Sequence, residues 1–161
     1  MLKEKILQNL NAALKEKKEL ETSVLRMLSA AILNKEKEKR YRIFKETSNL
    51  PFAAARLTDE EIIEVISAEA KKRRESIEGF QKGNRQDMAD KEKKELEMLE
   101  KYLPEQLSQE ELKKLVQEAI AKVGAKEMRD MGKIMQELMP KIKGKADGSS
   151  VSKTVKELLG Q

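Results

Sequence analysis

The sequence predicts an all-α protein made of two helical parts. Three observations carry that prediction. Apolar residues recur at three- and four-residue spacings along most of the chain, and sustained period-two alternation is absent. Charged residues are 39% of the 161 positions and aromatics 3%, a balance that suits long exposed helices and argues against a β-sandwich. Two capping boxes, Thr58-Asp59-Glu60-Glu61 and Ser108-Gln109-Glu110-Glu111, mark helix starts, because each hydroxyl and each third-position glutamate satisfy one another's backbone N–H groups.

The elements follow in order. Leu2, Ile6, Leu7, Leu10, Ala13 and Leu14 define a first helix. Thr22 or Ser23 is expected to cap the second, whose stripe is Val24, Met27, Leu28, Ala31 and Ile32 and whose pattern fades near Phe44. Residues 46–57, with Ser48, Asn49 and Pro51, read as a flexible loop. The helix after Thr58 shows Ile62, Ile63, Ile66, Ala70, Ile77 and Phe80, and ends in Gly79, Gly83 and Asn84. A further helix carries Met88, Leu96, Leu99 and Leu103 and stops at Pro104.

Past Pro104, three short helices are expected to close a small bundle. The first shows Leu112, Leu115, Val116, Ala119, Ile120 and Val123, with Gly124 as the residue that ends it in a left-handed turn. Met131, Ile134, Met135 and Leu138 mark the second; Val151, Val155, Leu158 and Leu159 mark the third, closed by Gly160. The division is therefore an N-terminal helical subdomain, 1–104, and a C-terminal three-helix bundle, 105–161. No internal repeat or sustained heptad is present.

Composition also bounds the chemistry. The chain has no cysteine and no histidine, which removes thiolate nucleophiles, the usual zinc sites and the common neutral-pH proton shuttle. No run of about 18 apolar residues exists to span a membrane. The stretch from Met1 to Leu10 places charges inside its apolar pattern, unlike a secretory signal, so a cytoplasmic protein is expected. The net charge of +5, from 34 basic and 29 acidic residues, is mildly basic and supports nucleic-acid binding without establishing it.

Charge concentrates where the last two helices meet. Between residues 133 and 156 stand Lys133, Lys141, Lys143, Lys145, Lys153 and Lys156, opposed only by Glu137 and Asp147. The joint itself holds Pro140, Gly144, Asp147 and Gly148, and delivers Ser149 and Ser150 to the start of the last helix, where free N–H groups favour an anion. The functional reading is a surface that neutralises phosphates and releases counterions. The plain reading is a solvated turn with Asp147 or Ser149 as its cap. It is not a nucleotide-binding P-loop, since no Gly-Lys-Ser/Thr and no strand accompany it.

Other clusters are weaker. Lys71, Lys72, Arg73 and Arg74 cover about 300° of a helix and cannot share a face; Glu69–Arg73 and Arg74–Glu78 are expected i,i+4 pairs. Arg85, in the Gly83-Asn84-Arg85 turn, is better placed to meet a partner. The tract from Lys35 to Lys45 alternates with glutamates and reads as a solvated helix end, although Tyr41 and Phe44 stand beside it. Five aromatics in the whole chain are too few for a base-stacking platform, so any RNA recognition rests on backbone and shape. Met128, Met131, Met135 and Met139 serve as core filling or as a groove for a partner helix. Ser149, Ser150 and Lys153 superficially resemble a serine–lysine amidase set, but capping accounts for the serines; no catalytic, metal or cofactor site is read, and the oligomeric state is left open.

Several landmarks appear together and in order. Arg74, Ser76, Phe80, Gly83, Arg85 and Asp87 lead into Lys91-Glu92, Glu95-Leu96 and the block Tyr102-Leu103-Pro104-Glu105-Gln106-Leu107. Met131-Gly132-Lys133 and Gly144-Lys145-Ala146-Asp147-Gly148 follow, and Leu25-Arg26-Met27-Leu28 precedes. In these the chain resembles the GatB/YqeY family in its free-standing form, over nearly its whole length and least over 41–57. The resemblance implies an all-helical fold with a three-helix tail. It implies tRNA-related binding, because the same module forms the tail of the B subunit of the tRNA-dependent amidotransferase and is appended to some glutaminyl-tRNA synthetases. The expected partners are thus tRNA, and an aminoacyl-tRNA synthetase or amidotransferase. An amidotransferase label, that of a carbon–nitrogen ligase using glutamine as amide donor, belongs to the larger enzyme, whose catalytic domains this sequence lacks. The alternatives are an amidotransferase-related accessory activity and a protein-interaction module.

Overall fold

The computed structural model describes residues 1–46 and 55–160, and these form seven α-helices with no strand among them. The helices are α1 (Leu2–Lys15), α2 (Glu19–Glu46), α3 (Asp59–Lys82), α4 (Gln86–Glu100), α5 (Gln109–Val123), α6 (Met131–Ile142) and α7 (Gly148–Leu159), with one turn of 3-10 helix at Met128–Asp130. The chain packs as two compact units, Met1–Tyr102 and Leu103–Gln161.

In the first unit, α1 and α2 form one helical hairpin and α3 and α4 another. The first turn places Lys17 in the left-handed region (φ 55°) and returns the Lys18 N–H to the Ala13 carbonyl. The second does the same with Asn84 (φ 54°) and a bond from Arg85 N–H to Phe80 C=O. The core gathers Ile6, Leu25, Leu28, Ile32, Ile62, Ile66, Ala70 and Leu99. Thr58 caps α3 as its box predicts: its Oγ1 accepts the Glu61 N–H, and the Glu61 carboxylate accepts the Thr58 N–H at 2.8 Å.

Three expectations change. α2 begins at Glu19, so Thr22 lies inside it, buried, and neither Thr22 nor Ser23 is its cap. Met27, placed in the buried stripe by its spacing, is exposed. α4 ends at Glu100, short of Leu103, because Pro104 disfavours helix at the residue before it. Of the expected loop 46–57, Glu46 closes α2 while Ala55 and Leu57 are buried; residues 47–54 lie outside the described residues.

The second unit packs α5, α6 and α7 around Leu112, Val116, Ala119, Ile134, Leu138, Ile142, Val151 and Val155. Ser108 caps α5 through the second box. Gly124 ends it at φ 63°, a conformation that costs an L residue about 1–2 kcal/mol, and this lets Ala125 N–H reach the Ile120 carbonyl. Pro140 sits inside α6, not in the joint after it; it withholds the N–H that would bond the Gln136 carbonyl, and α6 ends two residues later at Ile142.

Candidate nucleic-acid interface

The joint between α6 and α7 is held from three sides. Lys145 and Ala146 N–H groups return to the Ile142 carbonyl at 2.8 and 3.1 Å. Gly144 takes φ 74°, the reversal that turns the chain. The segment preceding α5 then clips the turn: Leu107 N–H donates to Lys145 C=O at 2.7 Å, and Gln106 Nε2 donates to Gly144 C=O at 2.7 Å and to Pro104 C=O at 2.9 Å. The Pro104–Leu107 block is thus the brace of the lysine turn. Periodicity gave no sign of this role for Gln106 and Leu107, since their partners lie 38 residues away.

The start of α7 is already occupied. Asp147 is its cap, accepting the Ser150 N–H at 3.2 Å and the Ser149 hydroxyl. The expectation of free N–H groups awaiting an external anion is corrected at Ser150: the carboxylate of Asp147 stands where that anion would sit. The two serines belong to this cap and turn, and the Ser150 carbonyl further accepts the Thr154 hydroxyl.

The lysines fall into three groups. Lys133 and Lys141 lie on one stripe of α6 with Glu137 between them. Lys133 is 3.4 Å from the Asp130 carboxylate, and Lys141 is 3.7 Å from that of Glu137. Glu137 also holds Lys122 of α5 at 2.6 Å, so this group lies on the α5–α6 flank. Hydrogen bonding from Lys122, with the Lys141 charge behind it, keeps the Glu137 carboxyl below its ordinary range. Asp130 is likewise held low, first by the Lys126 backbone N–H. Lys143 and Lys145 are exposed on the braced turn. Lys153 and Lys156 project from the face of α7 opposite Val151 and Val155, and among the described residues neither pairs with a carboxylate.

Arg85 belongs to the first unit. It precedes α4 at the α3–α4 turn and lies 3.3 Å from the Asp87 carboxylate, both side chains exposed. The Arg85 hydrogen bond draws the Asp87 carboxyl below its usual range. Such an exposed pair is well screened by solvent and exchanges readily for another anion.

The 71–74 cluster packs differently from its expected i,i+4 pairing. Arg73 reaches across to α4, 3.0 Å from Glu95 and 3.4 Å from Glu92, while Arg74 meets Glu100 at 2.7 Å. Arg73 and Glu95 are nearly buried, with side chains 12% and 10% exposed. Arg73 and Arg74 thus join α3 to α4, whereas Lys71 and Lys72 are exposed and pair with Glu75 and Glu69 within α3. Among the described residues no group of three or more Asp or Glu side chains is arranged to hold a metal ion, and no helix is long and apolar enough to cross a membrane.

Known proteins match parts of this chain. A protein of Pyrenophora tritici-repentis named "Altered inheritance of mitochondria protein 41, mitochondrial" is 34% identical over 107 residues, 64% of this chain and 58% of the relative. An uncharacterized protein of Schizosaccharomyces pombe is 39% identical over 51 residues, 32% of this chain and 42% of the relative. The chain thus covers about half the length of these curated relatives. The family model described as Yqey-like protein matches residues 3–159, both helical units and the braced lysine turn included, and the chain belongs to that YqeY family.

Proposed function

We propose that this protein is a non-catalytic accessory factor that binds tRNA by its backbone through the C-terminal unit. The observation that carries the reading is the charge of the α6–α7 region. Six lysines stand against two carboxylates over residues 133–156, leaving +4, and one of those carboxylates is committed to capping α7. Lys143 and Lys145 sit on a turn braced by Gln106 and Leu107, so little conformational entropy is lost when a phosphate binds there. Lys153 and Lys156 meet no carboxylate among the described residues. The likeness to the tail of the amidotransferase B subunit points to tRNA among the available polyanions. Recognition is electrostatic and independent of sequence, with the affinity falling steeply as salt rises.

The test is tRNA binding measured across a salt series for the parent and for the Lys141→Ala/Lys143→Ala/Lys145→Ala variant. The expected outcome is weaker binding and a log–log salt slope shallower by about 2–3, one per lost phosphate contact. Equal affinity and equal slope remove the proposed surface. A second reading, docking on a tRNA-handling enzyme such as a synthetase or amidotransferase, draws on the exposure of Met128 and Met139 in the same unit. Its mark is a complex that survives nuclease and high salt. A third, an amidotransferase-related accessory activity, requires that adding the protein change amide transfer from glutamine to mischarged tRNA.

A further inference from the structure

The distal half of α2 carries a surface that RNA binding by the C-terminal unit does not use. Beyond Ile32 no residue of the helix is buried, yet the helix continues to Glu46, about 21 Å further. Leu33, Lys37, Arg40, Tyr41 and Phe44 fall at i, i+4, i+7, i+8 and i+11, a single stripe flanking the buried face of Leu25, Leu28 and Ile32, and its proximal members Leu33, Lys37 and Arg40 line a recess shared with Glu36, Ala55 and Arg56. Leu33, Tyr41 and Phe44 are 49%, 60% and 67% exposed, and Phe44 is the most exposed large apolar side chain among the described residues. The other side of the same segment is tied down: Lys3 holds Glu36 at 2.7 Å, and Lys39 holds Glu61 at 2.6 Å. The helix is therefore fixed along one side and presents beside it an apolar, cationic ridge, with Tyr41 and Phe44 its most exposed apolar side chains.

From this ridge we infer that distal α2 is a contact for anionic phospholipid surfaces, in which Phe44, Tyr41 and Leu33 enter the interfacial layer while the flanking cations meet lipid phosphates. Residues 33–46 hold six basic and three acidic side chains, a net +3. That charge disfavours a second copy docking by the same face, which would set +3 against +3. Nucleic acid matches the cations but leaves Leu33 in water. Tyr41 is also poorly placed to stack, because the Lys45 ammonium stands 4.8 Å from its ring centroid. An anionic membrane surface matches both components. Rings and leucine sit at the boundary of headgroup and acyl chain, and long Lys and Arg stems run past them to the phosphates. Three apolar side chains give a weak, salt-sensitive, reversible contact, not an anchor.

The chain has no tryptophan, so Tyr41→Trp introduces a single reporter in the middle of the ridge. Its emission is expected to shift to the blue on vesicles of phosphatidylcholine containing phosphatidylglycerol at low salt, and not on vesicles of phosphatidylcholine alone. Adding Leu33→Ser and Phe44→Ser, both at exposed positions, is expected to weaken vesicle binding by roughly tenfold with the helical circular-dichroism signal retained. The Lys141→Ala/Lys143→Ala/Lys145→Ala changes leave it unaltered. No blue shift on the anionic vesicles overturns the inference. So does a shift that the serine variants leave untouched. A response to tRNA without one to vesicles also overturns it and assigns the ridge to nucleic acid.

Discussion

Arg73 ties α3 to α4 within the first unit. Its guanidinium is nearly buried between Glu92 and Glu95, and the Arg73 Nε and Glu92 Oε2 atoms are buried without a hydrogen-bond partner. Removing one side of a buried ion pair leaves an uncompensated charge, so Arg73→Met is expected to cost about 3–5 kcal/mol in urea unfolding. Adding Glu92→Gln and Glu95→Gln is expected to return most of that loss. Glu61 gives a pH signature. Its carboxyl is held below the ordinary range first by the Lys39 hydrogen bond and then by the Thr58 N–H. A carboxyl depressed in the folded state contributes stability above its unfolded pKa, near 4.5, and that contribution disappears as pH falls through the folded value. Glu61→Gln is therefore expected to be less stable than the parent at pH 7. The two unfolding curves should converge in acid; a difference that persists there would locate the effect in packing instead of charge.

Among the elements, α7 couples stability and binding with opposite signs. Asp147 caps it and at the same time places a negative charge among the lysines of the joint. Asp147→Ala is expected to lower the stability of the C-terminal unit by about 1 kcal/mol through loss of the cap. The same change is expected to raise tRNA affinity, since it frees the helix N-terminus and removes the carboxylate nearest Lys143 and Lys145 in sequence. Thermal unfolding and tRNA titration on one variant read both effects. Affinity that falls in step with stability would show that the cap organises the binding surface and does not compete with the ligand. The element scale is also where spacing misjudged α2. The apolar stripe begins beside Thr22 and Ser23 and so points to them as caps, but the turn at Lys17 and Lys18 starts the helix earlier, and the Lys3–Glu36 and Lys39–Glu61 pairs hold its distal turns where no residue is buried.

At the scale of the molecule, each unit owns its core. Leu138 is fully buried in the C-terminal one, among residues of α5, α6 and α7. Leu138→Ala is expected to cost about 2–5 kcal/mol there, the usual range for a cavity of that kind. Amide-exchange protection should fall in α5–α7 while α1–α4 keep theirs, and tRNA binding should fall with the C-terminal unit. Loss of protection throughout would mean that the two units unfold as one.

Helical class, the two capping boxes, the Gly124 stop and most core positions were legible in the sequence, although Val65, Ala89 and Ile142 are buried outside the expected stripes and Leu7, Leu14 and Met27 within them are exposed. Each depends on hydrogen bonds and side-chain spacings that close within three or four residues, so local order in the chain contains them. The lysines of the candidate surface were legible too, as a count of charges over a short stretch. Their disposition was not. That Lys141 shares Glu137 with Lys122, that Asp147 fills the start of α7, and that Gln106 braces the turn at Gly144 are matters of which distant groups packing brings within 3 or 4 Å. The same holds for Arg73, which left its helical neighbours for two glutamates on α4. Which carboxylate Arg73 meets depends on what packing of α3 against α4 brings within its reach, and spacing along one helix does not contain that information.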